Sequence, residues 1–590
     1  RRPRPCWGSD DMAEAAQSAD EKPQARAGQT LRQQCIALLG ALKLERAGWE
    51  PDWKDLAEYI DPWSLRLQTT DRNRGNRKGQ KIINSAATMA ARTLGAGMTG
   101  GIASPARPWL RLTTPDPALA EYGPVRQWLQ VTTERMLTVM LRSNLYQALP
   151  EVFQHEGVFG TGCMIVQEDA DELFRCHVQL PGSYALGLNS RGIVDVFARE
   201  FRWTVRQVVE RFVKVDGREY WDRISTRVRT AWDTNQHEQT VDILHVIRPN
   251  PDHDPRFMNA GRKRYQSVYL EIGGADDTYL RVSGYDTFPV LAARWLVHGD
   301  DTYGVGPGHV ARGDAKALQL LERRKSQAIE KMVNPPLIGG TELRNNKVSL
   351  LPGDITYEDV RDGKNGLRPI HEVNMRIDAA SAEIREHEAR INSAFYADLF
   401  LMLYMSDRGE MTAKEVSVRQ DEKLLMLGPT LERQNQDLLN PLIDRVFFLM
   451  AENGLLPEIP EELRGVTLRV EFLGLLAQTQ KMVATVGIER IAGFVSGLAQ
   501  LDPNVLDKFD ADQAVDEMAE AIGVSPAVIR SDDAVGEIRA AKAQQAAAAA
   551  QAQQAAMQVQ GAQALGSIDM SGDTALTRMV GAAQGEEVPA

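Results

Sequence analysis

Residues 304–336 read GVGPGHVARGDAKALQLLERRKSQAIEKMVNPP, and this stretch decides the architecture. The run Gly306-Pro307-Gly308 is a helix start signal, because proline is tolerated in a first helical turn. The run Asn334-Pro335-Pro336 is a stop signal, since proline cannot continue a helix. We therefore predict one uninterrupted helix over 304–332, which would be about 40 Å long.

A second long helix is predicted shortly after the first. Residues 333–372 form a compact, turn-rich insert, and helical periodicity resumes over 373–401. Two long helices joined by a small β-like insert predict a projecting stalk with a knob at its end.

A polar loop follows the second helix. We place this loop at 402–410, with the sequence YMSDRGE at 404–410. A third long helix is predicted from Met411 to Ala451, bent or interrupted at Gly428-Pro429, within a segment that extends to residue 473.

The flanking regions predict an α+β fold that is mainly α. Residues 31–303 begin with helical patterns and change near Gly160 to short alternating apolar runs separated by Gly, Asp and Pro. Residues 1–30 form a polar arm, and we infer that Met12 is the true start. Short helical segments are predicted over 474–540, and the tail 541–590 opens with an Ala/Gln tract.

Composition excludes several classes of protein. The net charge of −12 argues against a protein that binds nucleic-acid phosphates over a broad surface. No apolar run reaches the roughly 18 residues that a membrane helix needs, so we expect no membrane association. The four cysteines include no C-x-x-C pair, which favours free thiols over a disulfide framework or a zinc site.

Catalytic motifs are missing or out of context, so we predict that the protein is not an enzyme and needs no cofactor or metal. The match to G-x-G-x-x-G at 95–100 has a helix before it, whereas a dinucleotide site needs a strand there. We therefore interpret these glycines as a turn. No phosphate-binding G-x-x-x-x-G-K-[ST] and no H-E-x-x-H occur. The pair His155-Glu156 is interpreted as surface or structural, because adjacent helical residues do not face each other.

Several phrases in order resemble the head-to-tail connector, or portal, family of short-tailed bacteriophages. They span residues 50–420 and are WKDLAEYIDPW at 53–63, SPARPWLRL at 104–112, SNLY at 143–146 with FGTG at 159–162, RW at 294–295 with YGVGP at 303–307, and MTAKEV at 411–416. The family often has Arg where this chain has Val305.

The resemblance implies a phage portal fold that assembles as a ring of twelve subunits at one capsid vertex. Double-stranded DNA would be packaged and ejected through the ring without sequence specificity. The terminase large subunit and then tail adaptor proteins would dock on it, and major capsid and scaffolding proteins would surround it. The protein would be a virion component, assembled in the host cytoplasm.

The same resemblance assigns parts to the predicted segments. The wing would comprise 31–303 and the return segment 411–473; the stem helices would be 304–332 and 373–401, with the clip at 333–372. The crown would be 474–540, and the tail 541–590 would form a helical extension or barrel.

Two sets of charged or polar residues are candidate contact sites. The loop 402–410 would hang into the DNA channel, where Arg408 touches a phosphate and the acidic residues prevent strong binding; its residues are Tyr404, Ser406, Asp407, Arg408 and Glu410. The partner-facing clip residues would be Arg344, Lys347, Arg361, Lys364 and Arg368. The loop 404–410 is alternatively a solvated turn, and the basic loop 71–81 either contacts DNA or scaffold or is solvated.

Two other functions remain open from the residues. A non-conducting structural ring adaptor of the tail or baseplate would also explain the size and the absence of catalytic motifs. An enzyme acting on nucleic acid would need clustered carboxylates for metal ions or a phosphate loop, and neither pattern is present.

Overall fold

The structure is a computed structural model of the 590-residue chain. It describes residues 30–71, 73, 78–215, 217–256, 259–275, 278–334, 337–338, 368–369, 376–405, 427–473, 488, 490–498, 508–522 and 532–566. The chain divides into two compact units, Arg1–Ala484 and Thr485–Ala590.

The first unit begins with a group of helices whose ends carry recognisable caps. Thr30 and Gln33 form a reciprocal capping box at the first helix, and Gly160 ends the last one in the left-handed conformation. The helices are α1 (Leu31–Ala47), α2 (Glu50–Tyr59), α3 (Ala86–Ile102), α4 (Pro117–Glu121), α5 (Gly123–Arg142) and α6 (Leu145–Phe159).

Two antiparallel sheets follow, as the change of sequence pattern near Gly160 predicted. A five-stranded sheet has the order β10-β9-β8-β5-β4, and a three-stranded sheet has the order β11-β2-β3. The strands are β2 (Thr161–Asp169), β3 (Leu173–Gln179), β4 (Tyr184–Leu188), β5 (Val194–Thr204), β8 (Thr240–Pro249), β9 (Tyr265–Glu271), β10 (Arg281–Tyr285) and β11 (Val290–Arg294).

Shorter elements complete this region and connect it to the end of the unit. After β5 come α7 (Val205–Val208), a π-helical turn (Val209–Val213), the hairpin β6 (Lys214–Val215) and β7 (Arg218–Glu219), and α8 (Thr226–Asp233). The strand β1 (Leu110–Thr113) pairs antiparallel with β14 (Arg469–Phe472). Chain segments 356 or more residues apart thus form one small sheet, and this pairing requires the fold to close on itself.

The five-stranded sheet buries one face under α1. Leu31, Cys35 and Leu39 of this helix pack with Ala198 and Leu244 of the sheet. The thiols of Cys35, Cys163 and Cys176 are buried and free. Burial raises the pKa of the Cys35 thiol to about 11, so it stays protonated at neutral pH.

The long helix predicted over 304–332 is present as α9 (Pro307–Val333). The strands β12 (Leu337–Ile338) and β13 (Arg368–Pro369) pair antiparallel after it, so the chain that leaves this helix returns to the same place. The next helix, α10 (Ile377–Ala394), packs against α9.

The prediction of one helix over 373–401 is wrong. The helix α10 ends at Ala394, and Tyr396 adopts a left-handed conformation (φ +55°) before α11 (Ala397–Met405) begins. A tyrosine at positive φ is strained, so tertiary contacts must enforce this break. Because α11 continues to Met405, the predicted loop 402–410 is also wrong for its first four residues, which are helical.

The third helix differs from its predicted form. Residues 427–434 are helical through Gly428-Pro429, where a bend or an interruption was predicted, so the helix is not interrupted there. The irregularity lies instead at the π-helical segment Asn435–Leu439, which continues into α12 (Asn440–Glu452). Residues 406–426 lie outside the described residues.

The second unit consists of helices where it is described. It contains a helical stretch within 488–498, α13 (Ala511–Ile522) and α14 (Asp532–Gly566). Arg539 of α14 and Asp512 of α13 form a two-point ion pair with N–O distances of 2.5 and 2.8 Å. The Ala/Gln tract is helical, and α14 runs without a break across the predicted boundary at 540/541.

Candidate functional site

The predicted channel-loop residues lie at or beyond the end of α11. Tyr404 belongs to this helix and not to a loop. Ser406, Asp407, Arg408 and Glu410 are outside the described residues, so their proposed role stays a prediction.

Most predicted clip residues also lie outside the described part of the chain. These are Arg344, Lys347, Arg361 and Lys364. Arg368 lies in β13, opposite Ile338 of β12. Its backbone therefore lies beside the strand that follows α9 in the sequence.

The basic loop 71–81 is described only in part. Lys81 pairs with Glu58 at 2.5 Å, and Lys78 lies 3.6 Å from Asp71. Both lysines thus have acidic neighbours, and these pairings offset part of the positive charge of the loop.

The first turn of α9 is clamped against the last turn of α6 through glycine backbones. A Cβ atom on Gly160 would lie 1.9 Å from the carbonyl oxygen of Gly304, and one on Gly306 would lie 2.5 Å from that of Glu156. A Cβ on Gly308 would lie 2.3 Å from the oxygen of Val158. Only glycine permits such close backbone contact, so these residues set the position from which the long helix projects. We call this contact the root of α9.

Backbone hydrogen bonds hold the same root. Gly304 N donates to Thr161 Oγ1 at 2.9 Å, and Trp295 N donates to the Gly160 carbonyl at 3.0 Å. Val305 N donates to the Leu296 carbonyl at 2.7 Å. Because the three bonds connect β2, the end of β11 and the start of α9, the helix is fixed to the three-stranded sheet.

A buried pair of polar side chains lies beside the root. Gln434 Nε2 donates to Glu156 Oε1, and both residues are fully buried. Burial raises the pKa of the Glu156 carboxyl well above its usual value; the bond from Gln434 opposes this, and the charge of Asp437 adds to it. Glu156 Oε2 and Gln434 Oε1 have no hydrogen-bond partner among the described residues. A protonated Glu156 would supply the missing donor for this pair.

A second buried pair joins the same helical segment to the sheet. Arg294, which is only 3% exposed, donates from Nε to Asp437 Oδ2 at 3.0 Å. Its Nη2 donates to the Gly192 carbonyl, also at 3.0 Å. A buried charge pair with additional hydrogen bonds is strongly position-specific, because losing either partner leaves an isolated buried charge.

Side chains from an early loop connect the two long helices. Gln319 of α9 accepts hydrogen bonds from the backbone N–H groups of Ile83 and Asn84, at 2.6 and 2.8 Å. Asn84 in turn donates to Glu388 of α10 at 2.7 Å. His387 of α10 lies 2.8 Å from Asp314 of α9.

The G-x-G-x-x-G match at 95–100 is neither a turn nor a phosphate cradle, because it lies inside α3. Its glycines allow close helix contacts instead. A Cβ on Gly95 would lie 2.6 Å from the Pro150 carbonyl, and one on Gly97 would lie 2.2 Å from Phe400 Cγ. Since Phe400 belongs to α11, the element that precedes the predicted channel loop is anchored on α3.

The chain on both sides of residues 406–426 is therefore fixed near the root of α9. The helix α11 is held through Phe400, and the segment 427–439 is held through Gln434 and Asp437. Among the described residues, no cluster of His, Cys, Asp and Glu has the form of a metal site. No helix in the described ranges combines the length and apolar character needed to cross a membrane. The arrangement suits a mechanical mount for an intervening segment.

Sequence reasoning singled out Gly160, Arg294, Gly304 and Gly306 within the family phrases, but it missed Glu156, Gln434 and Asp437. Glu156 was dismissed with its neighbour His155, which is in fact buried and structural, its pKa lowered to about 4 mainly by burial. The available signal was helical spacing: Glu156 lies four residues after Val152 and three before Phe159, on the apolar face of the helix. An unpaired acid at the core face of a helix predicts a distant partner.

The chain matches a known protein family over most of its length. Residues 32–529 match the family described as "Bacteriophage head to tail connecting protein". The chain belongs to this family and is a head-to-tail connector.

Similar proteins carry the portal name. The chain is 44% identical over 556 residues to the portal protein of Salmonella phage epsilon15, covering 94% of this chain and 99% of that protein. It is 40% identical over 559 residues to the probable portal protein of Bordetella phage BPP-1, covering 95% and 100%. A chain from the virion of a gene transfer agent particle aligns at 11% identity with a TM-score of 0.31, over 75% of this chain and 91% of that chain.

Proposed function

We propose that this head-to-tail connector forms a closed ring, with twelve copies, at one capsid vertex, and that double-stranded DNA enters and leaves through its centre. The observation that carries the proposal is the sequence similarity to two proteins named as portals, which are 44% and 40% identical to this chain over nearly its full length. A ring at one vertex lets a single opening serve both packaging and ejection. Such a protein is a virion component, and we place its assembly in the host cytoplasm.

The helix pair α9 and α10 is the proposed stem. Its support is the pairing of β12 with β13, which returns the chain to the ends of both helices and makes the intervening insert a separate projection. That insert, 333–372, is the proposed clip, where the terminase large subunit and later tail adaptor proteins bind. Residues 31–303 and 411–473 are the proposed wing, 474–540 the crown, and 541–590 a helical extension that contacts major capsid or scaffolding protein or lines the axis.

Residues 406–410 supply the proposed contact with DNA. The mount at the root of α9 supports this role, because it fixes the chain on both sides of residues 406–426. A sliding duplex needs weak phosphate contacts, since each fixed contact adds affinity that must be broken. Arg408 would provide a transient contact, and Asp407 and Glu410 would limit its strength. The net charge of −12 is compatible with low friction.

The ring performs no covalent chemistry in this proposal. Hydrolysis of ATP belongs to the terminase, and the connector uses no cofactor. The alternative of a non-conducting tail or baseplate adaptor is not favoured by the named relatives.

Electron microscopy of the purified chain, viewed along the symmetry axis, tests the proposal. A closed ring near twelve-fold, with a central hole wide enough for duplex DNA, is the expected result. A ring with a hole too narrow for a duplex would contradict the conducting role. ATP or DNA hydrolysis by the pure ring would contradict the absence of covalent chemistry.

A further inference from the structure

A large cleft opens between the two sheets of the first unit. It has a volume of about 810 Å³, which is in the range of ligand-binding sites. Its walls include Arg199 of β5, His177 of β3, Arg281 of β10 and Gln147 of α6. The cleft is separate from the root of α9, from the predicted clip and from the predicted channel loop.

Three arginines of the cleft form no ion pair with any residue that the structure describes. Arg199 donates to Gln179 at 3.0 Å and lies 4.7 Å from the centre of the Phe201 ring, but its Nε has no acceptor. Arg211 and Arg281 are exposed, and neither forms an ion pair with another described residue. Unpaired arginines converging on one concave surface indicate an anionic ligand.

The acidic side chains of the cleft are mostly neutralised. Glu200 pairs with Lys43 at 2.6 Å, and Glu168 pairs with Arg445 at 3.1 Å. The pKa of Glu151 is raised, first by burial and then by the charge of Asp61. An excess of positive charge therefore remains.

Nearby histidines respond to this positive charge. The pKa of His177 is lowered by burial and then by the charges of Arg199, Arg175 and Arg211. The pKa of His245 is lowered well below its usual value by burial and then by Arg199 and Arg281. Both imidazoles therefore stay neutral at pH 7, and the arginines carry the positive charge of the cleft.

The lining suits carboxylates on a polypeptide better than a nucleic-acid backbone. Aromatic rings alternate with the arginines along β5 and its neighbours, at Phe201, Trp203 and Tyr269. A peptide with spaced carboxylates and small apolar side chains matches this mixture. A phosphate backbone carries a charge at every nucleotide, so three arginines would leave most charges of an extended strand unpaired.

The chain itself contains a matching segment. Residues 10–21 read DDMAEAAQSADE, with five acidic residues and no basic one, and three of the five follow Met12. We call this segment the acidic arm. It precedes α1, whose Arg32 backbone N–H donates to the Tyr279 hydroxyl at 3.3 Å. Arg281 lies only two residues beyond Tyr279, in the edge strand β10.

The connecting chain is long enough for this contact. Residues 22–29 can span up to about 28 Å when extended. A segment leaving α1 at the sheet edge needs only to pass β10 to reach the opposite face, and stacked layers are about 10 Å apart.

We propose that the cleft binds the acidic arm, with its carboxylates on Arg199, Arg211 and Arg281. This contact fastens the N-terminal region of the connector to its sheet region. It does not depend on the ring or on DNA conduction.

Photo-crosslinking of the full-length chain tests the proposal. A benzophenone amino acid at position 17 should crosslink to peptides of β3, β5, β10 or α6. The triple variant R199Q/R211Q/R281Q should lower the yield by about tenfold. A matched variant that changes three exposed arginines away from the cleft, R107Q/R142Q/R191Q, should leave it unchanged.

Two further variants separate lost binding from lost folding. R211Q/R281Q changes only exposed side chains, and D10N/D11N/E14Q/D20N/E21Q changes only the acidic arm; each should reduce the yield while the circular dichroism spectrum stays the same. Crosslinks elsewhere, or an unchanged yield in these variants, would overturn the proposal. Displacement by a dT12 oligonucleotide, without displacement by a free peptide of residues 10–21, would overturn it in favour of nucleic acid.

Discussion

Glu156 and Gln434 form a hydrogen-bonded pair inside the protein although 278 residues separate them in the chain. Glu156 lies in the last turn of α6, which contacts the first turn of α9, and Gln434 lies in the segment that follows residues 406–426. The pair therefore links α6, which holds the first turn of the proposed stem helix α9, to the chain segment that follows the proposed channel loop.

Two substitutions of Glu156 should show separately how the size and the charge of its side chain affect stability. Glu156→Gln keeps the shape and can form two hydrogen bonds with Gln434, so the midpoint of thermal unfolding should be retained or raised at pH 7. Glu156→Ala leaves a cavity and removes the hydrogen-bond partner of the buried Gln434. We expect this variant to lower the free energy of unfolding by about 3 kcal/mol. Differential scanning calorimetry measures both, and equal losses in the two variants would exclude the protonated pair.

The same carboxyl should make stability depend on pH. Its pKa is raised in the folded state, so its contribution is fully present below the unfolded pKa of about 4.3 and is lost as pH rises through the folded value. The midpoint of Glu156→Gln minus that of the unchanged chain should therefore increase from pH 5 to pH 9. A difference that stays constant over this range would contradict the raised pKa.

The glycine contact at the root of α9 should tolerate no side chain. Gly160→Ala combines a left-handed backbone (φ +79°) with a clash against the Gly304 carbonyl, and should cost on the order of 3–5 kcal/mol. Gly273→Ala is the matched control, because Gly273 has φ +86° but open space around it. Only the backbone penalty of about 1–2 kcal/mol is expected there. Thermal unfolding compares the two, and equal costs would show that the close contact is unimportant.

Breaking the buried ion pair at Arg294 should be costly. Arg294→Ala leaves Asp437 buried without a partner and should lower the free energy of unfolding by about 3–5 kcal/mol. Arg206→Ala is the control, because Arg206 pairs with Glu238 at 3.3 Å on the surface, and it should cost less than about 1 kcal/mol. Chemical denaturation followed by tryptophan fluorescence measures the difference. Similar costs for both variants would contradict the buried network.

Charges of the proposed channel loop should set the affinity for duplex DNA. Asp407→Asn with Glu410→Gln removes repulsion and should tighten binding, whereas Arg408→Gln should weaken it and reduce the salt dependence by about one phosphate contact. Fluorescence anisotropy at several salt concentrations measures both effects, with Arg191→Gln as an exposed control of equal charge. No change in any of these variants would argue against a channel position for the loop.

Elements with strong local signals were predictable from sequence. The helices Leu31–Ala47 and Leu145–Phe159 lie where helical patterns were predicted, and Thr30 and Gly160 provide caps that act within a few residues. The break at Tyr396 was not predictable, since no glycine or proline marks it. It arises because α10 packs on α9 while α11 must place Phe400 against Gly97. The glycines of α3 were misread as a turn for the same reason, since their partners lie on other helices.

The sequence by itself determined the family, the order of helical and strand-rich regions, and the long helix that begins at Pro307. These depend on periodicity, caps and ordered phrases, which act over short distances. Only the tertiary structure decided that Glu156 meets Gln434, that Arg294 meets Asp437, and that three arginines converge on one cleft. Burial, pKa and charge convergence are properties of residues brought together across the fold, so no local pattern specifies them.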